Sequence, residues 1–186
     1  MLIPVSDGHE QQSPQPAIEV CPFTIIIDDR EKEPYPFDNI PPLRGDTDNA
    51  KPTILAIRTI DQRIPTGDYT IVGMEDRITI ERKSLADLFG SLGGGRQRFK
   101  DEFERMQDGS YEFAELMIEA SLREVMRPQL HDPNWSSKMS PKAVYSTWLS
   151  WRLKFPKVVW TFAGSRRNAE LTTFWGLERF WDFKTK

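Results

Sequence analysis

The sequence predicts an α/β layered domain, and three observations lead to this prediction. The first half of the chain contains four short runs that are typical of strands. The second half alternates helical patterns with two further apolar runs. At 186 residues, with 38% hydrophobic residues, six Trp and eleven Phe, the chain is long enough for one folded domain with a substantial core.

The strands are predicted from β-branched content and periodicity. Residues 23–27 form a short, continuously apolar run, which is typical of a buried central strand. The segments 69–72 and 77–81 flank the turn signal at 73–76 and are predicted to pair as an antiparallel hairpin. The other predicted strands cover 53–60, 113–120 and 158–162.

The helices are predicted from their start signals. Ser84 is a candidate N-cap, and Asp87, three residues later, occupies the position that closes a capping box. Pro141 after Ser140 marks another start, because proline is favoured in the first turn of a helix. The predicted helices cover 84–92, 96–107, 122–126, 140–155 and 166–181.

Three segments carry predictions beyond secondary structure. Residues 1–21 contain three prolines and are interpreted as a flexible N-terminal arm, so that the folded domain covers 22–186. Residues 33–52 contain five prolines and are interpreted as an irregular insertion, either a lid or a substrate-facing loop. The aromatic face at 171–181 is interpreted as core packing, with part of it available for an oligomer contact.

Composition excludes several classes of protein. The net charge of −3 argues against a generally basic coat for nucleic acid, although a local basic patch is compatible with it. The single Cys21 excludes an intrachain disulfide, and His9 and His131 are too few and too far apart for a zinc site. The sequence has neither an apolar run near 18 residues nor a signal-peptide pattern, so we expect no membrane span and an intracellular protein.

An acid and a base lie two positions apart at the end of the predicted hairpin. Residues i and i+2 of a strand share a face, so Glu81 and Lys83 project together and Arg82 faces the other way. Asp68 opens the first hairpin strand, and antiparallel pairing brings it towards Glu81. Carboxylates beside an ammonium suit a metal-assisted attack on a phosphodiester. The alternatives are a strand-end ion pair for Glu81 and Lys83 and a turn residue for Asp68.

Further charged residues are candidates on weaker grounds. Asp28 and Arg30 directly follow the apolar strand at 23–27, where ligand-binding residues often lie, and a solvated loop is the alternative. Asp87 is a helix cap or an indirect support of the site. A local phosphate-binding patch, or alternatively a solvated helix face, is predicted for Arg96, Arg98 and Lys100.

A longer pattern connects these residues. An acid, any residue and Lys, preceded by a separate Asp, is the pattern of the restriction-endonuclease-like PD-(D/E)xK superfamily. The match extends in order over 25–31, 67–69, 81–83, Asp87 and 91–96. It resembles the nuclease domain of the XPF family of structure-specific endonucleases, whose signature is Gly-Asp, a variable gap, Glu-Arg-Lys, three residues and Asp. The resemblance covers roughly residues 23–181.

The resemblance implies a fold and an activity. The fold would be a restriction-endonuclease-like three-layer α/β/α sandwich with a central mixed sheet. The activity would be Mg²⁺- or Mn²⁺-dependent endonucleolytic hydrolysis of DNA, favouring branched, flap or single/double-strand junction substrates. The alternative is a non-catalytic nuclease-fold scaffold that binds DNA or an active partner. Homodimers or heterodimers through this domain, in the cytoplasm of a prokaryotic or viral host cell or in a eukaryotic nucleus, would fit the family.

The resemblance also implies roles for individual residues. Asp68 and Glu81 would bind the metal, helped by the backbone carbonyl of Arg82, with Asp28 as a further acid beside them. Lys83 would orient or activate the attacking water and offset charge on the phosphate. The Arg82 side chain would bond Asp28, Asp87 or phosphate. Asp87 would complete the catalytic set, and DNA contacts would come from Arg30, Arg96, Arg98 and Lys100.

Overall fold

The computed structural model describes residues 16–43 and 53–186. The strands are β1 (Ala17–Ile27), β2 (Thr53–Asp61), β3 (Tyr69–Ile71), β4 (Ile78–Lys83), β5 (Phe113–Ile118) and β6 (Val158–Phe162). The helices are α1 (Leu85–Leu92), α2 (Arg96–Asp108), α3 (Leu122–Met126), α4 (Pro141–Lys154) and α5 (Arg166–Thr185), with a 3₁₀ turn at Pro128–Leu130. Every predicted strand and helix is therefore present, with boundaries shifted by a few residues.

The strands form one mixed sheet in the order β2-β1-β3-β4-β5-β6. β3 runs antiparallel to both of its neighbours, β1 and β4, whereas β1 pairs in parallel with β2, and β4, β5 and β6 pair in parallel with one another. Strands that run in the same direction end at the same edge of a sheet. The carboxyl ends of β1, β4 and β5 therefore lie at one edge, together with the start of β3.

Helices cover both faces of the sheet. On one face, α5 packs on β1, β3 and β4 through a core cluster that includes Phe174 and Leu177. On the other face, α1, α2 and α4 pack through a second cluster that includes Phe89, Phe103 and Trp151. Side chains alternate between the two faces along each strand, and β5 accordingly contributes Met117 to the first cluster and Leu116 and Ile118 to the second. This is the predicted three-layer α/β/α sandwich with a mixed sheet.

The first strand is longer than the sequence analysis predicted. β1 begins at Ala17, which pairs with Thr53 of β2, so residues 17–21 of the predicted arm belong to the sheet. Ile18 and Val20 in this extension are exposed and do not belong to the buried core. Pairing with β2 supplies hydrogen-bond partners for main-chain groups in this extension. Residues 1–15 lie outside the described part of the chain.

The described part of the predicted insertion, residues 33–43, is irregular as expected but packs as core rather than as a lid. Tyr35, Phe37 and Ile40 are almost fully buried in the cluster beneath α5. Arg167 of α5 donates hydrogen bonds to the carbonyls of Asp38 (3.0 Å) and Asn39 (2.8 Å). The lid interpretation is therefore wrong for this segment, and residues 44–52 lie outside the described ranges.

The aromatic face of α5 belongs to the core of its own chain. Phe174 stacks on Phe23 of β1 with ring centroids 5.9 Å apart, and Trp181 packs against the same ring at 5.7 Å. The predicted core packing is therefore confirmed, and an oligomer contact through the partly exposed remainder of this face stays a prediction. Within the described ranges, no helix combines the length and the apolar character needed to cross a membrane.

Candidate active site

A cleft of about 480 Å³ opens at the sheet edge where β1 and β4 end and β3 begins. Its walls are the loop after β1, the β3–β4 hairpin and one side of α2. The lining is dominated by charged side chains. The acidic ones are Asp28, Glu31, Glu33, Asp68, Glu81, Asp87 and Glu102, and the basic ones are Arg30, Lys32, Arg82, Lys83, Arg98 and Arg105.

The hairpin brings Asp68 and Glu81 together as predicted. The backbone N–H of Asp68 donates to the carbonyl of Ile80 at 2.9 Å, which aligns the two strands directly before Glu81. The backbone N–H of Arg82 in turn donates to a carboxylate oxygen of Asp68 at 2.7 Å. Both side chains line the cleft, and Coulomb repulsion from Glu81 acts on Asp68.

Gly67 permits this close approach. Its φ of +83° is a left-handed conformation that side chains other than glycine rarely adopt. A Cβ at this position would lie 2.1 Å from Oγ1 of Thr79 and 3.2 Å from the carbonyl oxygen of Ile80. Any larger residue would therefore push the start of β3 away from β4, and the carboxylate of Asp68 away from Glu81.

Lys83 shares a face with Glu81, as the strand periodicity predicts. Its ammonium contacts the Glu81 carboxylate and lies 5.4 Å from the centroid of the Phe99 ring in α2. Burial alone would lower the pKa of Lys83, but the carboxylates of Glu81 and Asp68 outweigh it and raise the pKa to about 12. The side chain is therefore a fixed positive charge in the cleft.

The cleft contains an acid that the sequence analysis missed. Glu102 of α2 lines the same cavity and forms a side-chain hydrogen bond with Glu81. Burial and the charge of Glu81 raise the pKa of Glu102 to about 8. Burial and Glu81 also raise the pKa of Asp68 well above its usual value. Asp68, Glu81 and Glu102 thus line the same cleft, and the Lys83 ammonium attracts all three carboxylates.

A helical pattern in the sequence carried the signal for this acid. Residues 98, 102 and 105 recur at i, i+4 and i+7, so they share one face of a helix. In the structure that face looks into the cleft, with Arg98 and Arg105 on either side of Glu102. The buried stripe of Phe99, Phe103 and Met106 lies beside it. The sequence analysis considered only basic residues of this helix as candidates and left out Glu102.

The donor set fits a hard divalent cation. Mg²⁺ and Mn²⁺ select carboxylate oxygens, and Mg²⁺ commonly uses one or two protein carboxylates while water or substrate oxygens complete its shell. Asp68 and Glu81 supply two carboxylates whose mutual repulsion a cation would relieve. Among the described residues, no three acidic, histidine or cysteine side chains are already arranged around one point as metal ligands.

Comparison with known proteins identifies the family. The family model of the ERCC4 domain matches residues 51–167, which include the hairpin, α1, α2 and the strands β5 and β6. The chain belongs to the ERCC4 domain family. A search of curated proteins gave no match.

Solved structures agree with this ERCC4 domain in fold. XPF from Aeropyrum pernix is similar with a TM-score of 0.55 and 18% identity over 88% of this chain and 65% of the archaeal chain. The same archaeal protein in a complex with DNA gives a TM-score of 0.56 and 18% identity over 87% and 66% of the two chains. The chain thus spans just under two thirds of the archaeal chains, and the likeness confirms the predicted restriction-endonuclease-like fold.

Asp28 lies at the same sheet edge of the ERCC4 domain, but its carboxylate is already fully engaged. It accepts hydrogen bonds from Arg30 (2.6 and 3.0 Å from the guanidinium, 2.9 Å from the backbone) and from the N–H of Ile64 (2.9 Å). Burial would raise the pKa of Asp28, yet these bonds outweigh it and lower the pKa. Its backbone N–H donates to the carbonyl of Asp68 at 2.8 Å. The structure thus places Asp28 beside the acidic group, where it positions Arg30 and the neighbouring strand.

Arg82 faces away from the cleft acids, as the periodicity predicts, but none of its predicted partners is the one observed. Its guanidinium donates to both carboxylate oxygens of Glu119 (2.7 and 3.0 Å) and lies 3.4 Å from Glu31. Arg166 of α5 also donates to Glu119, at 2.8 Å. The predicted side-chain bonds to Asp28 and Asp87 are therefore wrong, because Glu119 follows β5 on the α5 side of the sheet.

The remaining predicted residues divide between the cleft and the surface. Asp87 lines the cleft and accepts a hydrogen bond from the Ser84 hydroxyl at 2.7 Å, while its N–H donates to that oxygen and caps α1. Arg98 reaches the cleft. Arg96 instead donates to Thr147 (3.0 Å), and Lys100 pairs with Glu104 (2.5 Å) on the outer side of α2. The three basic side chains therefore have different surroundings, and their contact with phosphate stays a prediction.

Proposed function

We propose that this ERCC4 domain is a divalent-metal-dependent endonuclease that hydrolyses phosphodiester bonds of DNA. One observation carries the proposal: uncompensated carboxylates converge beside a fixed lysine ammonium in an open cleft at the sheet edge. Buried charges normally have partners of opposite charge. A set of buried acids with too few positive charges nearby is typical of a functional site rather than of a stable core. Family membership supports the same reaction.

In this proposal Asp68 and Glu81 hold Mg²⁺ or Mn²⁺, with the backbone carbonyl of Arg82 as a further ligand. When bound, the cation lowers the pKa of its water and stabilises the negative charge that develops on the phosphate. Lys83 orients the attacking water and offsets charge on the phosphate, since its ammonium is held against Glu81. Asp87 supports the site through its contact with Ser84 at the start of α1.

Arginines on the cleft rim would position the DNA backbone. Arg98 and Arg105 face the cleft two helical turns apart, and Arg30 is held on the opposite wall by Asp28. Arginine binds phosphate through paired N–H groups and fixes the register of the strand without reading its sequence. The similar XPF from Aeropyrum pernix has been solved in a complex with DNA, which supports DNA as the ligand. We propose branched, flap or junction DNA as the preferred substrate.

The test is cleavage of labelled flap, fork, linear duplex and single-stranded DNA with Mg²⁺, Mn²⁺ or EDTA. We expect cleavage of the junction-containing substrates with either metal, none with EDTA, and none by Asp68→Asn or Glu81→Gln. Cleavage that survives both substitutions would contradict the site. Absence of cleavage with every DNA and both metals, while DNA binding persists, would favour the non-catalytic scaffold.

Self-association is a separate proposal, and it rests on a different surface from the predicted 171–181 face. Leu149 and Leu153 of α4 and Val159 of β6 are exposed apolar side chains. Apolar residues of this kind are more frequent in dimer interfaces than elsewhere on a surface. Sedimentation equilibrium of the wild-type protein and of Leu153→Glu would test it, and an unchanged dimer in the variant would exclude this surface.

A further inference from the structure

Glu102 occupies a position in the cleft that neither packing nor ion pairing explains. It lies on α2 between the cleft-facing Arg98 and Arg105, yet its side chain is hydrogen-bonded to another acid, Glu81. Other acids of α2 follow the ordinary rule. Glu104 pairs with Lys100 at 2.5 Å, and Asp101 accepts a hydrogen bond from Gln97 at 2.6 Å.

The charges around Glu102 do not cancel. Asp68, Glu81 and Glu102 carry three carboxylates, and Lys83 is the ammonium that lies among them. Arg105 attracts Glu102 only weakly, and its own guanidinium donates to the hydroxyl of Thr66 at 3.2 Å. With all three acids ionised, this group keeps two uncompensated negative charges, which is the charge of one divalent cation.

We propose that Glu102 is a third carboxylate of the cation site and exchanges its contact with Glu81 for a contact with the bound cation. This inference rests on the proposed function, because it adds a residue to that same site. The hairpin contributes Asp68 and Glu81 from the sheet, and α2 contributes Glu102 from the opposite wall. A cation held in this way would tie α2 to the hairpin and fix Arg98 and Arg105 relative to the reacting phosphate.

A metal-binding measurement without DNA separates this role from a general effect on catalysis. Mn²⁺ alone is titrated into wild-type protein, Glu102→Gln and Glu104→Gln, by calorimetry and by the electron paramagnetic resonance signal of free Mn²⁺. We expect Glu102→Gln to weaken Mn²⁺ binding by on the order of tenfold to a hundredfold. Glu104→Gln is the matched control on the same helix and should bind as the wild-type protein does. Glu102→Asp should recover part of the affinity, because it keeps the carboxylate on a shorter chain.

The outcomes distinguish the inference from the proposed function. Equal Mn²⁺ affinity in Glu102→Gln and the wild-type protein, with binding still lost in Asp68→Asn, would overturn the role of Glu102 and leave the cation site intact. No Mn²⁺ binding by the wild-type protein would overturn both. Glu102→Gln should fold, because it removes repulsion, and circular dichroism with a thermal melt checks this. Mn²⁺ should also raise the melting temperature of the wild-type protein more than that of Glu102→Gln.

Discussion

Two groups of buried charges lie back to back on β4, and they differ in how their charges are compensated. On the α5 side, Arg82 and Arg166 meet Glu119, with Glu31 completing the group. On the α2 side, Lys83 alone lies among three carboxylates. Adjacent residues of one strand thus enter a balanced network on one face and an acidic cleft on the other. A buried network with equal positive and negative charge stabilises the packing of the strands and helices that carry it. A network with an excess of negative charge favours the binding of a cation.

Removal of Arg82 should have the largest effect on stability. Arg82→Met leaves Glu119 and Glu31 buried with too little positive charge, so we expect a loss of about 3–5 kcal/mol in the free energy of unfolding. Urea denaturation measures it. Arg77→Met is the control, since Arg77 pairs with Glu112 at the surface (2.6 Å), where a loss below about 1 kcal/mol is expected. A similar small loss for both variants would show that the α5-side network is not structural.

Removal of Lys83 should affect DNA cleavage more than stability. Lys83→Met is expected to lower DNA cleavage on the order of 10²-fold, because the ammonium no longer offsets phosphate charge. Its cost in stability should be smaller than that of Arg82→Met, since Asp68 and Glu102 can take up protons in its place. Single-turnover cleavage and a denaturation curve are measured on the same sample. Lys184→Met, at a surface pair with Glu112, serves as the control.

Asp28 differs from the other acids of the cleft because its charge is compensated. Asp28→Asn should cost about 1–3 kcal/mol of stability, since Arg30 and the N–H of Ile64 lose a buried charged acceptor. Asp29→Asn is the neighbouring control, an exposed acid paired with Arg63 at 3.0 Å, with an expected change within about 0.5 kcal/mol. If Asp28→Asn were as stable as the wild-type protein, Asp28 would belong with the uncompensated acids.

A further prediction concerns the pH dependence of stability without divalent metal. The folded pKa of Glu102 is about 8 against an ordinary value of 4.5, so the folded state holds a proton that the unfolded state releases. The free energy of unfolding should therefore fall as the pH rises from about 4.5 to about 8. Glu102→Gln should flatten this slope in EDTA. An equal slope in both proteins would place the responsible proton elsewhere, and Asp68→Asn would then be the next variant.

Much of the molecule was predictable because local patterns and pairing geometry agree. The hairpin, the cap at Ser84 and the opposite faces of Arg82 and Lys83 all follow from sequence periodicity and turn signals, and the structure confirms them. The approach of Asp68 to Glu81 was predictable for the same reason, since it depends on a hairpin with short-range register.

The features that escaped prediction depend on contacts between distant segments. Glu119 and Arg166 meet Arg82 only because β5 and α5 lie beside β4, and no local pattern pairs them. No local pattern indicates that the Cζ atom of Arg96 lies 5.3 Å from the centroid of the Trp151 ring of α4. Tyr35 sits in a proline-rich segment that resembles a loop, yet it is stacked on Tyr69 at 5.1 Å in the core. The proline content of such a segment predicts an irregular loop. Its few aromatic residues nevertheless pack in the core and hold the segment in place.

The turn at Gly67 has a consequence for anyone who transplants this site onto another hairpin. The residue has no side chain that could touch DNA or a cation, but a Cβ there would lie 2.1 Å from a neighbouring side-chain oxygen. A graft that copies Asp68, Glu81 and Lys83 onto a scaffold with alanine at this turn would reproduce the ligands and misplace one of them. A graft of this site must therefore include the glycine at this turn as well as the three charged residues.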